Sequence, residues 1–311
     1  MAEGSRYSLY YVKETTSGIT PISAVFKTMR VTQSSIDINI AGLESEELRD
    51  DAETSDYRLG ARHVAGTVTG EMSFETYDDI IAAVLRSAWD GKTPNVVKGG
   101  ILRHSFTMVD YNADLPTGKY TIYRGCEINT ITLTVAAEAI TKVEFSVVGR
   151  SMEIADAMPA GSTIDPRTTS KPMDGFNGRL THDGTSVANV TEITLQIENG
   201  IEPRYVVGSK FSITPGAKRR AVSGSMNTYW ENNDLRNKFL EEQEVNVEFD
   251  LIDPDDATKK YTFSVPRVKF TEAPHAVEGE GDIMLNISYR GLLDATVGSS
   301  IKVTKAGDTT P

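Results

Sequence analysis

Between Arg62 and Leu85 the chain reads RHVAGTVTGEMSFETYDDIIAAVL, and its apolar and polar positions change period partway along. Val64, Gly66, Val68, Gly70, Met72 and Phe74 alternate with Thr67, Thr69 and Ser73, the two-residue period of a strand with one covered face. Tyr77-Asp78-Asp79 ends that alternation, and Ile80, Ile81, Val84 and Leu85 continue at helical spacing. The same succession returns in Arg220–Leu240, RAVSGSMNTYWENNDLRNKFL. Val64-Ala65-Gly66 answers to Val222-Ser223-Gly224, and Asp79-Ile80 with Val84-Leu85 answers to Asp234-Leu235 with Phe239-Leu240. The glycines stand 158 residues apart (224 minus 66) and the leucines 155 (240 minus 85), so one small deletion lies between them. The pattern predicts a tandem duplication.

The rest of the chain extends the repeat. Phe26–Ile40 predicts a β segment with Ile36, Ile38 and Ile40 on one face, and Val190–Ile197 is its echo, with Ile193 matched to Ile36. After the helix each half returns to strands. These are Leu102–Tyr111, Lys119–Val135 and Ile140–Met152 in the first half, and Val245–Ile252, Tyr261–Phe270 and Ile283–Leu292 in the second. Asn112–Gly118 and Asp253–Thr258 have the composition of hairpin turns. The expected layout is an arm over 1–21, a first unit over 22–154, a Pro/Ser/Thr/Gly-rich linker over 155–174, a second unit over 175–294, and a small polar tail over 295–311, mobile or an interaction arm. The fold class is mainly β: two tandem β-sandwich or barrel domains, each with one flanking helix and one long loop.

Composition narrows the function. A length of 311 residues suits two domains with their own cores, and the net charge of -12 gives solubility and argues against a surface that grips nucleic acid. Cys126 is the sole cysteine, which excludes an internal disulfide framework and fits assembly in a reducing cytoplasm. No apolar run approaches the ~20 residues a membrane span needs, and the N-terminal segment lacks the layout of a signal peptide. Phosphate-loop, dinucleotide, zinc-protease and nucleophile-elbow motifs are all missing. His63, His104, His182 and His275 are scattered, and none neighbours Cys126 or another histidine at metal-ligand spacing. Asp253, Asp255 and Asp256 lack the glycine and closing glutamate of a calcium loop and read as a turn, and Asn189-Val190-Thr191 is a glycosylation sequon by letter only. The expectation is no catalysis, no cofactor and no metal.

Charge is where the halves diverge. The loop Ala41–Gly60 carries Glu44, Glu46, Glu47, Asp50, Asp51, Glu53 and Asp56 against Arg49 and Arg58. The matching loop Ile201–Arg220 carries Arg204, Lys210, Lys218, Arg219 and Arg220 against Glu202. Equivalent loops of opposite sign are either two solvated faces or two sides of a contact between copies or subunits. In a contact, opposite charge sets register and partner choice more than affinity. A head-to-tail contact of that kind repeats into rings or filaments.

An ordered set of short runs carries a resemblance. It comprises Tyr11-Val12-Lys13-Glu14-Thr15-Thr16-Ser17-Gly18-Ile19-Thr20-Pro21, Phe26-Lys27-Thr28-Met29-Arg30-Val31-Thr32, Arg62-His63-Val64-Ala65-Gly66, Tyr77-Asp78-Asp79 and Tyr123-Arg124-Gly125-Cys126. It continues through Gly200-Ile201-Glu202-Pro203, Val206-Val207-Gly208-Ser209, Asp234-Leu235 and Val277-Glu278-Gly279-Glu280-Gly281-Asp282-Ile283-Met284-Leu285. With these the chain resembles the major tail tube proteins of long-tailed bacteriophages, in a family of two-copy tube proteins. The resemblance implies a virion structural protein of the tail, assembled in the host cytoplasm, whose tube domains are β-sandwiches with a lateral helix. It implies inner strands joined into a continuous barrel, with stacked rings around a channel through which genome DNA leaves. One-domain relatives resemble hexameric rings, so a duplicated chain should close as a trimer with pseudo-sixfold symmetry. The implied partners are other copies of the chain and the tail tip, tape measure and tail terminator proteins. DNA passes without specific binding, and no membrane is involved. The alternatives are a non-catalytic β-sandwich binding or adhesion module and a hydrolase whose site assembles in space.

Overall fold

The computed structural model describes residues 3–175, 179–182, 185–186, 190–276 and 280–307. The strands of the first half are β1 (Tyr7–Lys13), β2 (Val25–Met29), β3 (Asp37–Glu44), β4 (Tyr57–Glu71), β5 (Asn95–Lys98), β6 (Phe106–Asn112), β7 (Tyr120–Ala136), β8 (Lys142–Gly149) and β9 (Ser151–Ala155), with the helix α1 (Asp78–Val84) after β4. The second half contributes β10 (Val190–Glu198), β11 (Ala221–Tyr229), the helix α2 (Asp234–Leu240), β12 (Val245–Ile252), β13 (Lys260–Glu272), β14 (His275–Ala276), β15 (Met284–Gly291) and β16 (Lys302–Ala306). The fold is mainly β.

The alternation read in β4 is realised side chain by side chain. Val64 and Val68 are buried, Met72 and Phe74 continue their face beyond the strand, and Thr67 is exposed on the other side. Gly66 permits a close crossing, because a Cβ there would meet the Ser35 carbonyl oxygen at 2.4 Å and the Ile36 Cα at 2.5 Å. Ile80, Ile81, Val84 and Leu85 of the α1 segment are all buried, as their spacing predicts.

Eight strand segments form one antiparallel arc in the order β3, β4, β8, β7, β10, β11, β15 and β13–β14. The arc runs through both halves without a break, because Thr130–Ala136 of β7 pairs with Glu192–Glu198 of β10. β7 and β13 are long enough to leave the arc past bulges, at Ile128/Thr130 and Phe270/Glu272, and serve a second layer with their N-terminal parts. That layer is β9–β7–β6–β1–β2 in the first half and β12–β13–β16–β5 across both. The core lies between the layers.

Three segments read as arm, linker and tail are built into this layer. Residues 7–13 form β1, with Leu9 and Tyr11 buried. Within 155–174, Thr163–Asp165 runs parallel to β2 and Met173 is fully buried. In the tail, β16 is clasped between β13 and β5. Its Val303 is fully buried, and its Lys305 ammonium lies 2.9 Å from Asp78 and 3.7 Å from Glu75, over the rings of Phe74 and Trp89. A lysine surrounded by acids and aromatic faces can be buried without losing its charge. These segments were illegible because their apolar residues are few and each fills a single slot.

Candidate assembly interface

Strand register allows the two halves to be compared position by position. Val64 faces Gly149 and Val68 faces Phe145; likewise Val222 faces Gly291 and Met226 faces Ile287. Ser34 opposite Val68 and Asp37 opposite Ala65 put Ile36 across from Gly66, the place Leu195 holds across from Gly224. Ile36 therefore corresponds to Leu195, two residues from the Ile193 that the hydrophobic pattern selects. A two-residue slip leaves the same side chains on the same face, so alternation cannot detect it. Side-chain bonds follow the corrected register. Ser35 bonds Thr67 at 3.1 Å and Thr194 bonds Ser225 at 2.9 Å, while Thr130 bonds Ser146 at 2.6 Å and Ser288 bonds Glu272 at 3.4 Å.

The joint between the halves has a definite parity. Ala137 donates its N–H to the Thr191 carbonyl and Asn199 donates to that of Asn129, both at 2.9 Å. Leu195 with Leu133 and Ile197 with Ile131 thus form the hydrogen-bonded pairs of the joint. The same two surfaces recur, unpaired, at the ends of the arc. At the β3 end, Ser35 bonds Thr67 through its N–H, so Asp37 and Asn39 also face β4, and the amides of Ile36 and Ile38 point outward. At the β13–β14 end, Pro274 presents its carbonyl to the Asn286 N–H, so Ala273 and His275 point outward. Proline lacks an N–H, yet here the loss falls on the side of β15 and leaves the free edge able to donate. Among the described residues neither edge has a strand partner on its outer side. Within the single chain Tyr123 donates its hydroxyl to the Ile36 carbonyl at 2.9 Å and the Asp37 carboxylate accepts the Ile38 N–H at 2.6 Å, so the edge is partly satisfied.

Beside the joint, α1 is capped by the second half. Arg220 donates to the carbonyls of Leu85 at 2.6 Å and Gly100 at 2.9 Å, and the Asn199 amide donates to that of Val84 at 2.8 Å. Burial, with Arg86 nearby, pushes the Arg220 guanidinium down to about 10. Arg86 in turn reaches the Asn199 carbonyl at 2.9 Å.

The seven acidic loop residues Glu44, Glu46, Glu47, Asp50, Asp51, Glu53 and Asp56 are all exposed, as are Arg204, Lys210, Lys218 and Arg219. Arg220 is the exception, turned inward. The ion pairs of the loops are internal among the described residues: Arg49 with Asp51, Arg58 with Asp56, and Lys218 with Glu202. The loops do meet, but through main chain at their roots. The Arg62 N–H donates to the Lys210 carbonyl at 2.8 Å, the Lys210 ammonium reaches the Leu59 carbonyl at 3.2 Å, and the Tyr205 hydroxyl lies 2.8 Å from the His63 ring. The basic loop therefore runs along the rim of the first half.

The arc face turned away from the core is hydroxyl-rich. By strand parity it carries Asp37, Glu71, Glu144, Glu192, Glu198 and Glu272 against Lys142, Lys269 and Arg290, six acids to three bases, leaving aside the buried Glu127.

The reactive groups are occupied structurally. Cys126 is buried and its thiol is pushed up by burial. Burial lowers the pKa of His104, whose ring meets the Ser87 carbonyl at 2.6 Å, and the His275 ring lies tilted against Trp230 with centroids 4.3 Å apart. Asp110, buried and bonded by Tyr7 and Tyr123, is pushed up to about 6 by burial. The His182 side chain and the Asn189 sequon lie outside the described residues. No group of three or more His, Cys, Asp or Glu side chains among the described residues could hold a metal, and no described helix is long and apolar enough to cross a membrane. The edge residues Ala273 and His275 and the cap by Arg220 escaped the sequence reading. The signal available was Pro274, which marks an edge position inside an otherwise strand-like run.

Compared with known proteins, residues 4–291 match the family model described as phage tail tube protein. No curated protein matches the chain.

Proposed function

The chain belongs to the phage tail tube protein family, and from that membership we propose that three copies close head to tail into a pseudo-sixfold ring, that rings stack into the tail tube, and that genome DNA is delivered through it. Membership makes the protein a structural component of the virion tail. The halves are two copies of one ring unit, and assembly takes place in the host cytoplasm.

The observation that carries this reading is the match between the joint inside the chain and the two free edges. Carrying the β7–β10 register over to the edges pairs Ile36 with His275, Asp37 with Pro274, and Ile38 with Ala273 of the next chain. Hydrogen-bonding parity agrees at each position, including the one occupied by proline. A heterologous contact that repeats the internal one closes a ring and removes both free edges of the arc.

The polar arc face then lines the channel. Its excess of acids repels phosphates, and hydroxyls hydrogen-bond water without holding the DNA backbone, so DNA slides without specific binding. The acidic loop of one chain lies beneath the second half of its neighbour, as the basic loop lies beneath the first half within the chain. Its carboxylates there meet the exposed Lys218 and Arg219 at the root of the basic loop. The tail tip, tape measure and tail terminator proteins are the further partners the family resemblance brings.

Electron microscopy of concentrated purified protein is the test. Rings or hollow rods are expected, and a protein that stays monomeric at all concentrations refutes the proposal.

A further inference from the structure

Arg62 holds in the first half the position Arg220 holds in the second: each stands two residues before the valine, Val64 or Val222, that faces Gly149 or Gly291. The two arginines are used differently within the chain. Arg220 caps α1 through the Leu85 carbonyl. The Arg62 guanidinium lies over the Phe211 ring, 5.2 Å from its centroid, with Nε buried and without a partner, and donates no hydrogen bond among the described residues. Arg62 is half-buried, and its Nε, like that of Arg220, is shielded from water without a partner, a cost that a further acceptor beside the guanidinium would offset.

The two helices differ in the complementary way. Each ends in a residue of positive φ, Arg86 at 50° and Glu242 at 53°. Each is closed by the same two backbone bonds, from Arg86 and Ser87 to Ala83 and Ala82, and from Glu242 and Gln243 to Phe239 and Lys238. Glu241 therefore stands where Leu85 stands, one residue beyond the Leu240 that the hydrophobic pattern matched to it. Five α1 residues are buried whereas no α2 residue is, and Leu240 is 72% exposed where Val84 is 0%. The carbonyl of Glu241 has no donor among the described residues. The helix C-terminus favours a cation there, and the nearby carboxylates, Glu242 with Lys269 at 3.6 Å and Glu241 accepting from Gln243 at 2.6 Å, keep the surroundings acidic.

We propose that Arg62 of one chain caps the last turn of α2 in the adjoining chain, its guanidinium donating to the Glu241 carbonyl. The partner is a second copy of this chain, and the inference rests on the ring reading above. Closing β3 of one copy on β13–β14 of the next brings Arg62 to α2 as the internal joint brings Arg220 to α1. The stack on Phe211 holds the guanidinium in place beforehand, which lowers the ordering cost of the contact.

Two measurements test it. Arg62→Met keeps the stem and removes the donors. The variant should melt as wild type does and need a concentration about tenfold higher to assemble, since hydrogen bonds from a charged group are lost at each junction. Separately, Arg62→Cys protein is mixed with Glu242→Cys protein and treated with a short bis-maleimide. Covalent dimers should form in the mixture and not in either variant alone. Wild-type rings with no dimers in the mixture, or with unchanged assembly of Arg62→Met, overturn the cap while leaving the ring standing. Wild-type protein that never assembles overturns both.

Discussion

Replacing Ile38 with proline separates assembly from folding. The Ile38 N–H points out of the arc, whereas the neighbouring Asn39 N–H faces β4 opposite His63. Inside one chain Ile38→Pro therefore gives up a single bond, the one to the exposed Asp37 carboxylate, together with part of a half-buried side chain. An edge strand tolerates proline in that orientation. Across a junction the same change deletes the donor to Ala273 of the next chain and leaves its carbonyl buried without a partner. That costs about 2–3 kcal/mol per junction, roughly a hundredfold in its association constant. Sedimentation velocity over a concentration series, alongside circular dichroism, reads both quantities. Ile38→Pro should remain folded and monomeric where wild type forms rings. Asn39→Pro, one residue on, should instead lose stability, because it breaks the chain's own sheet. If Ile38→Pro assembles at the wild-type concentration, the edge assignment is wrong.

Reversing charge at Glu46, Glu47 and Asp50 should block tube formation while leaving the subunit folded, and normal rods from that variant in the microscope refute the loop contact. Asp110 has a folded pKa raised to about 6, above the ~3.9 of an unfolded aspartate, so its contribution is most favourable at low pH and is lost as pH rises from about 4 through about 6. The loss is about 3 kcal/mol, and Asp110→Asn should flatten that slope in urea unfolding followed across this range. Lys305→Met leaves Asp78 without its buried cation and should cost about 3 kcal/mol in thermal unfolding, whereas a change under about 0.5 kcal/mol shows that β16 is not held there by charge.

The mainly β class and the β4–α1 unit were readable because each rests on periodicity over many residues. Val64, Val68, Ile80 and Ile81 are buried as their spacing requires. What was not readable depends on single positions or on register. Ile36 pairs with the place of Leu195 rather than Ile193, and period two is blind to that slip. β1 and β16 are short strands whose alternation rests on two or three residues each. The opposite-charge loops were legible as a divergence, but their burial was not: Arg220 reads as one more surface charge until its partners Leu85 and Gly100, more than a hundred residues away, are in view. Arg62 went unnoticed for the same reason.

The register across the seam is the claim on which the rest depends, and a disulfide reads it directly. Asp37 and Pro274 are assigned to a non-hydrogen-bonded antiparallel pair, where Cα atoms approach to about 4.5 Å, within reach of a disulfide. The native Cys126 is buried and does not interfere. Oxidised Asp37→Cys/Pro274→Cys protein should run on a non-reducing denaturing gel as a closed species of three chains and collapse to one chain on reduction. Chains that stay unlinked although the protein assembles, or that link only when the pair is shifted to Asn39→Cys/Pro274→Cys, would contradict the account.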